Sequence, residues 1–208
     1  MNKTSDELIE YCVRLNNNMS RAWSAYMLWK HLKISISPID IGHDEAMRNL
    51  GLMNKYYNGS MFSIILHSLE SSYIIDLQKF FEKRPDSVQL INIKKGCLFD
   101  DSFLLEEDKN QISSLLEDVQ LNQNIEELRI LRNKFVAHEA EDLPKNMKIY
   151  CRKMEGIFSL VQDILGIVAK RSTKEFIVWD MAVQDTQSSL TTLMSDLERG
   201  AKERVKEM

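Results

Sequence analysis

The chain has 208 residues, with 27 Lys and Arg, 31 Asp and Glu, and a formal net charge of −4. Its hydrophobic content of 44% excludes bulk disorder, and no apolar run is long enough for a membrane span. The mild negative charge excludes a polycationic DNA-coating protein but is compatible with a local basic site. With 7 Gly and 3 Pro, the chain is poor in turn formers, which argues against a loop-rich sandwich or barrel and predicts long helices.

The cysteines and the N-terminal sequence indicate a compartment. Cys12, Cys97 and Cys151 are widely spaced and odd in number, which fits neither a disulfide framework nor a zinc pattern. The opening sequence MNKTSDELIEY has acidic residues where a secretory signal would have its apolar core. We therefore expect a cytoplasmic protein in a reducing environment.

The first half of the chain is predicted to be helical. Apolar steps of three and four predict a helix over about residues 5–33, with Ser5 as its N-cap. Residues 34–38 alternate briefly between apolar and polar side chains and end at a proline, which indicates a connector between helices. A long helical stretch follows over about residues 44–83, capped or kinked at Asn58-Gly59. The stripes predicted to be buried are Leu8, Tyr11, Leu15, Met19, Ala22, Tyr26 and Trp29, then Phe62, Leu66, Leu69, Tyr73, Leu77 and Phe80.

Two features of this half have both a functional and a structural interpretation. Trp23, Tyr26 and Trp29 could stack on bases, but aromatic residues on an amphipathic helix more often form core or dimer surface, and we favour that interpretation. His67 and Glu70 lie one turn apart and could form an acid–base pair. An exposed or locally satisfied histidine is the interpretation we favour.

The second half is predicted as shorter helices. Residues 88–99 are expected to be irregular, and a helix over about residues 101–119 is followed by a turn at Asn122–Asn124. A helix then spans residues 125–138, and the next one begins at Pro144. Ser172-x-x-Glu175 predicts a capping box, and Asp185 is predicted to cap the last helix. The residues predicted to face inward are Leu104, Leu105, Ile112, Leu115 and Leu116, then Tyr150, Met154, Ile157, Val161, Ile164 and Val168. The last helix carries the apolar residues Leu190, Leu193, Leu197, Ala201 and Val205.

The absence of repeats, low-complexity tracts and long linkers predicts one domain over residues 1–208. Its fold class is all-α, as a compact bundle of about five to seven helices with extra C-terminal helices. The sequence has no glycine-rich phosphate loop, nucleophile elbow or paired-histidine zinc motif, so neither a cofactor nor a metal site is predicted.

One stretch, LRILRNKFVAH, combines the groups that RNA cleavage needs. The guanidinium of Arg132 can bind a scissile phosphate through two hydrogen bonds, and the imidazole of His138 can move protons near neutral pH. Asn133 can orient the histidine, the phosphate or the attacking 2′-hydroxyl. On an ideal helix Arg132 and His138 would point about 120° apart with a rise of about 9 Å. Either the helix ends or bends near His138, or a second copy of the motif completes the site.

Basic residues around this motif could follow an RNA backbone. Lys145, Lys148 and Arg152 recur at steps of three and four, with Lys153 beside them. Arg129 and Lys134, in the motif's own stretch, are assigned to the same RNA-binding set. The structural alternative is also open, since charge strips are usually solvated faces and His138 could end a helix against the core.

Arg132-Asn133-x4-His138 within LRNKFVAHEA resembles the signature of the HEPN superfamily, in which an Arg, usually followed by Asn, Asp or His, precedes a His. The aromatic-rich first helix, the long second helix and LRNK-x-x-AH resemble the branch of the U-type abortive-infection (Abi) proteins. The resemblance covers about residues 5–170 as a HEPN-like core, which leaves about residues 172–207 as a C-terminal helical extension.

The resemblance implies a metal-independent endoribonuclease that acts as a homodimer. Arg132 would contact the phosphate, Asn133 would assist, and His138 would serve as acid, base or phosphate ligand. The RNA 2′-hydroxyl would attack and leave a 2′,3′-cyclic phosphate. The role implied is a toxin or phage-defence effector, with an antitoxin or nucleotidyltransferase partner protein. The alternative is a non-catalytic helical module that dimerises or binds RNA or a protein.

Overall fold

The computed structural model describes residues 5–57, 60–82, 104–137, 147–172, 176 and 179–206. Helices account for nearly all of these residues, and no strand occurs among them, which confirms the all-α prediction. The described helices are α1 (Ser5–Ser35), α2 (Pro38–Ile41), α3 (His43–Tyr57), α4 (Ser60–Lys79), α5 (Glu106–Glu117), α6 (Val119–Ala137), α7 (Met147–Ala169) and α8 (Trp179–Lys206).

The predicted apolar stripes form the core. On α1, the residues from Tyr11 through Trp29 that recur at steps of three and four are buried, as is the stripe of α7 from Tyr150 to Val168. A 3.6-residue repeat aligns such positions on one side of a helix, so burying them removes a continuous apolar face from water. The prediction of these two helices from periodicity is confirmed.

Two predicted helix boundaries are wrong. The amide of Asn122 donates to the carbonyl of Asp118 at 3.0 Å, so Asn122–Asn124 lie inside α6 and the break comes earlier, at Asp118. Asp185 likewise lies within α8, where its exposed carboxylate stays in water. Asn and Asp are less favourable than Ala inside a helix by only about 0.7 kcal/mol, so tertiary packing can override their preference for caps and turns.

Two leucines of the predicted apolar patterns are exposed, and one of them, Leu105, was predicted to face inward. Leu105 is 56% exposed because it precedes α5 in an extended conformation, outside the helical repeat. Leu193 is 40% exposed on α8, where the inward positions are Leu190, Met194 and Leu197. Steps of four and three through Met194 leave Leu193 rotated by about 100° from that face.

Several other predictions lie outside the described residues. They concern the Asn58-Gly59 cap, the irregular segment 88–99, the helix start at Pro144, and the Glu175 end of the capping box.

The described residues divide into two compact units. Unit 1 comprises residues 1–22 and 74–177, and unit 2 comprises residues 23–73 and 178–208. In unit 1, α7 packs against α5 and α6. Its core includes Leu15 of α1, Leu77 of α4, Ile112 of α5, Leu128 of α6 and Ile157 of α7, each no more than 1% exposed.

Unit 2 is built around an aromatic cluster and a second hydrophobic cluster. Tyr26 lies edge-on to Tyr73 with ring centroids 5.3 Å apart, and Trp23 lies 6.2 Å from Trp179. Such aromatic pairs contribute about 0.5–1.5 kcal/mol each beyond the area that they bury. Because Tyr26 and Trp29 are fully buried in this cluster, the core interpretation is confirmed over base stacking. The second hydrophobic cluster consists of Leu32, Met53, Phe62, Leu190 and Leu197.

Candidate functional site

Arg132 lies on the inward side of α6 in unit 1. Asn124 and Leu128 precede it at steps of four and are buried, with exposed fractions of 8% and 0%. This row continues into Arg132, whose side chain is 31% exposed. A long arginine side chain can run along apolar surface while its guanidinium reaches water. Arg132 therefore follows a buried row of its helix while part of its side chain stays exposed.

The guanidinium of Arg132 contacts two side chains. Its Nη1 donates to Oδ1 of Asn133 at 3.2 Å, and its Nη2 lies 3.3 Å from Oε1 of Glu82. Glu82 follows α4, and its side chain is only 15% exposed. Arg132 thus contacts its chain neighbour Asn133 and also a carboxylate, that of Glu82, which the sequence did not reveal.

Other predicted site residues lie outside what the structure describes. His138 and Lys145 are not among the described residues, and neither are the side chains of Lys134 and Lys148. The relation between Arg132 and His138 therefore stays a prediction.

The remaining residues of the predicted basic set lie on α6 and α7. Arg129 forms two hydrogen bonds with Glu126, at 2.9 and 2.5 Å, and these bonds lower the pKa of Glu126. Lys153 of α7 pairs with Glu127 of α6, whereas Arg152 is exposed. The carboxylates of Glu126 and Glu127 thus reduce the positive charge that Arg129 and Lys153 present.

With this geometry established, comparison with known proteins identifies the family. The family model described as AbiU2 (HEPN_AbiU2) matches residues 5–170. The chain belongs to the HEPN_AbiU2 family. No curated protein and no solved structure matches the chain.

The HEPN_AbiU2 match contains the whole candidate site. Glu82, Arg132 and Asn133 lie within it, as do the predicted basic residues. Helix α8 (Trp179–Lys206) follows the matched segment, and the assignment of about residues 172–207 to a C-terminal extension stays a prediction.

A buried titratable group of this HEPN_AbiU2 protein lies in unit 2, whereas the candidate site lies in unit 1. Glu70 of α4 is 4% exposed. Burial, which disfavours its charged form, raises the pKa of Glu70 to about 7, although the charge of Lys33 and the nearby indole of Trp29 act in the opposite direction. His67, one turn earlier, is exposed as predicted. Glu70 is therefore a feature of the core and not half of an exposed acid–base pair.

Two further properties of the HEPN_AbiU2 chain concern the described residues alone. Their His, Cys, Asp and Glu side chains form no group of three or more that could hold a metal ion. None of the described helices combines the length and apolar character that crossing a membrane requires.

Proposed function

We propose that this HEPN_AbiU2 protein is a metal-independent endoribonuclease that acts as a homodimer. The observation that carries the proposal is the partly exposed side chain of Arg132, whose guanidinium lies beside Asn133 on α6. A guanidinium placed in this way can bind two oxygens of one phosphate and stabilise the charge that develops on them.

The proposed reaction is an internal transesterification. The RNA 2′-oxygen forms a bond to phosphorus while the bond from phosphorus to the 5′-oxygen breaks, which leaves a 2′,3′-cyclic phosphate and a 5′-hydroxyl. His138 accepts the proton of the 2′-hydroxyl or supplies one to the leaving oxygen. Arg132 binds the phosphate, and Asn133 orients the guanidinium through its Oδ1. The two motifs of a dimer would share one cleft. Arg132 of one subunit could then act together with His138 of the other, although the two groups of one subunit would point about 120° apart on an ideal helix.

The family assignment supports a role in defence. A HEPN_AbiU2 protein that cleaves RNA would act in the cytoplasm as a toxin or abortive-infection effector. An antitoxin or a nucleotidyltransferase would be its partner protein.

The test is RNA cleavage in EDTA. Purified protein is incubated with tRNA and mRNA beside Arg132→Ala and His138→Ala variants, and the product ends are analysed. We expect the wild type to produce 2′,3′-cyclic phosphate ends and both variants to lose activity by about a hundredfold or more, since each lacks a group that acts in the transition state. Equal background cleavage by all three proteins would refute the nuclease proposal.

A second candidate function is a non-catalytic helical module that binds RNA or a protein partner. The observation that favours it is the pairing of Arg129 with Glu126 and of Lys153 with Glu127, which reduces the basic character of the predicted RNA surface. This candidate predicts that His138→Ala leaves binding unchanged and that no cleavage occurs.

The ion pair between Glu127 and Lys153 gives a prediction about RNA affinity. Glu127→Gln removes the negative charge and makes Lys153 available to a phosphate. We expect a severalfold gain in affinity for a single-stranded 2′-O-methyl RNA, with a slope of log affinity against log salt steeper by about 0.7. Fluorescence anisotropy across a KCl series measures both quantities.

The matched control is Glu198→Gln, which breaks a Glu–Lys pair with Lys202 on α8. Its affinity and salt slope should equal those of the wild type. Equal gains in both variants would mean that net charge alone, and not a surface at Lys153, sets the affinity.

A further inference from the structure

Glu82 is an unexpected neighbour of the candidate phosphate-binding group. Its carboxylate comes from the segment that follows α4, and it reaches Nη2 of Arg132 on α6 at 3.3 Å. The contact therefore joins two parts of unit 1 that are far apart in sequence.

Burial makes this contact more than a surface ion pair. The side chain of Glu82 is 15% exposed, against 31% for Arg132, so the carboxylate lies on the inner side of the pair. A carboxylate that is largely removed from water requires charged or hydrogen-bonding partners. Because the fold fixes the position of Glu82, it also fixes where the guanidinium of Arg132 lies.

The contact still leaves donors for a ligand. A guanidinium has five N–H groups, and the described contacts use one on Nη1, toward Asn133, and one on Nη2, toward Glu82. A bidentate phosphate contact needs only two neighbouring N–H groups. Glu82 and a phosphate can therefore be bound by Arg132 at the same time.

We propose that Glu82 is the positioning residue of Arg132. Together with Asn133, it holds the guanidinium plane so that the remaining N–H groups face the phosphate that is cleaved. This inference rests on the proposed nuclease function, and it assigns Glu82 no contact with RNA. A long arginine side chain without such a partner would sample many rotamers, and fewer of them would meet the transition state.

The test compares the kinetics of Glu82→Gln and Glu82→Asp with those of the wild type. We expect Glu82→Gln to lower kcat for RNA cleavage about tenfold with little change in KM, because orientation matters most in the transition state. Glu82→Asp keeps the charge and should recover part of the loss. An unchanged or increased kcat in Glu82→Gln would overturn the proposal, since a competing carboxylate would then explain the contact.

A double-mutant cycle tests whether Glu82 acts through Arg132. In an Arg132→Ala background, Glu82→Gln should cause no further loss, whereas a further tenfold loss would overturn the proposal. The matched control is Asp108→Asn, which removes a similarly buried carboxylate, 13% exposed, from an ion pair with Arg171 in the same unit. Its kcat should equal that of the wild type, and thermal unfolding verifies that every variant is folded.

A second readout separates this inference from the nuclease proposal. Binding of a single-stranded 2′-deoxy oligonucleotide, which cannot be cleaved by 2′-hydroxyl attack, is measured together with NMR signals from ¹⁵N-labelled arginine. If the wild type cleaves no RNA, the nuclease proposal fails. Positioning by Glu82 is still supported if Glu82→Gln shifts the Arg132 Nε signal and weakens Arg132-dependent binding, and it is refuted if neither changes.

Discussion

Replacing Arg132 with lysine is expected to lower kcat for RNA cleavage by about a hundredfold or more, although the positive charge is kept. Lysine presents an ammonium group that cannot form the planar bidentate contact of a guanidinium. It also cannot reproduce the two-sided contact in which Nη1 meets Asn133 and Nη2 meets Glu82. The measurement is single-turnover cleavage of a defined RNA in EDTA, beside the wild type.

The matched control for this prediction is Arg171→Lys. Arg171 pairs with Asp108 through its Nε at 2.9 Å and lies in the same unit, but it is not part of the candidate site. We expect cleavage at the wild-type rate. If Arg132→Lys also cleaves at that rate, charge alone is sufficient at this position, and the bidentate role of Arg132 is wrong.

The second large effect concerns stability and comes from Glu70. Its pKa is raised by burial from 4.5 to about 7, so between these values the folded protein binds more protons than the unfolded chain does. The free energy of unfolding is therefore not reduced by Glu70 below pH 4.5. It decreases as the pH rises from 4.5 toward 7, because the buried carboxyl group must then lose its proton. Above this range the charged and buried carboxylate costs about 3 kcal/mol.

Glu70→Gln is expected to remove that cost. The amide has almost the same shape as the carboxylic acid, carries no charge at any pH, and keeps one oxygen as a hydrogen-bond acceptor. At pH 8 we expect the variant to be more stable than the wild type by about 3 kcal/mol, and near pH 4.5 the two should be similar. Urea unfolding between pH 4.5 and pH 8 measures the difference.

The control for Glu70→Gln is Glu45→Gln, which changes a carboxylate of α3 that is 55% exposed. A change at such a position should alter stability by less than about 0.5 kcal/mol. If Glu70→Gln and the wild type lose stability in parallel as the pH rises, the buried carboxylate is not the cause.

Much of the fold was predictable because the helices carry strong local signals. The stripes of α1 and α7 repeat at helical spacing over many turns, and few glycines or prolines interrupt them. Burying one face of each helix is the dominant stabilising term, so the same pattern that predicts the helix also predicts its buried side. The adjacent pair Arg132-Asn133 was predictable for the same reason, since both residues belong to one short motif on α6.

Where the prediction failed, a residue's local preference and its packing disagree. Asn124 has the chemistry of a turn or cap, yet it is buried at 8% exposure within α6. The lower helix propensity of asparagine costs little free energy, and the packing of α6 against α7 outweighs it. Leu193 fits an apolar pattern on α8, but Met194 fills the inward position.

By itself, the sequence determined the fold class, the main buried stripes and the motif that contains Arg132 and Asn133. Helical periodicity and motif spacing act over a few residues, so they are readable without knowledge of the fold. Only the tertiary structure placed Glu82 against Arg132 and Glu127 against Lys153. These partners come from different helices or their flanking segments, and no spacing rule connects residues that chain folding brings together.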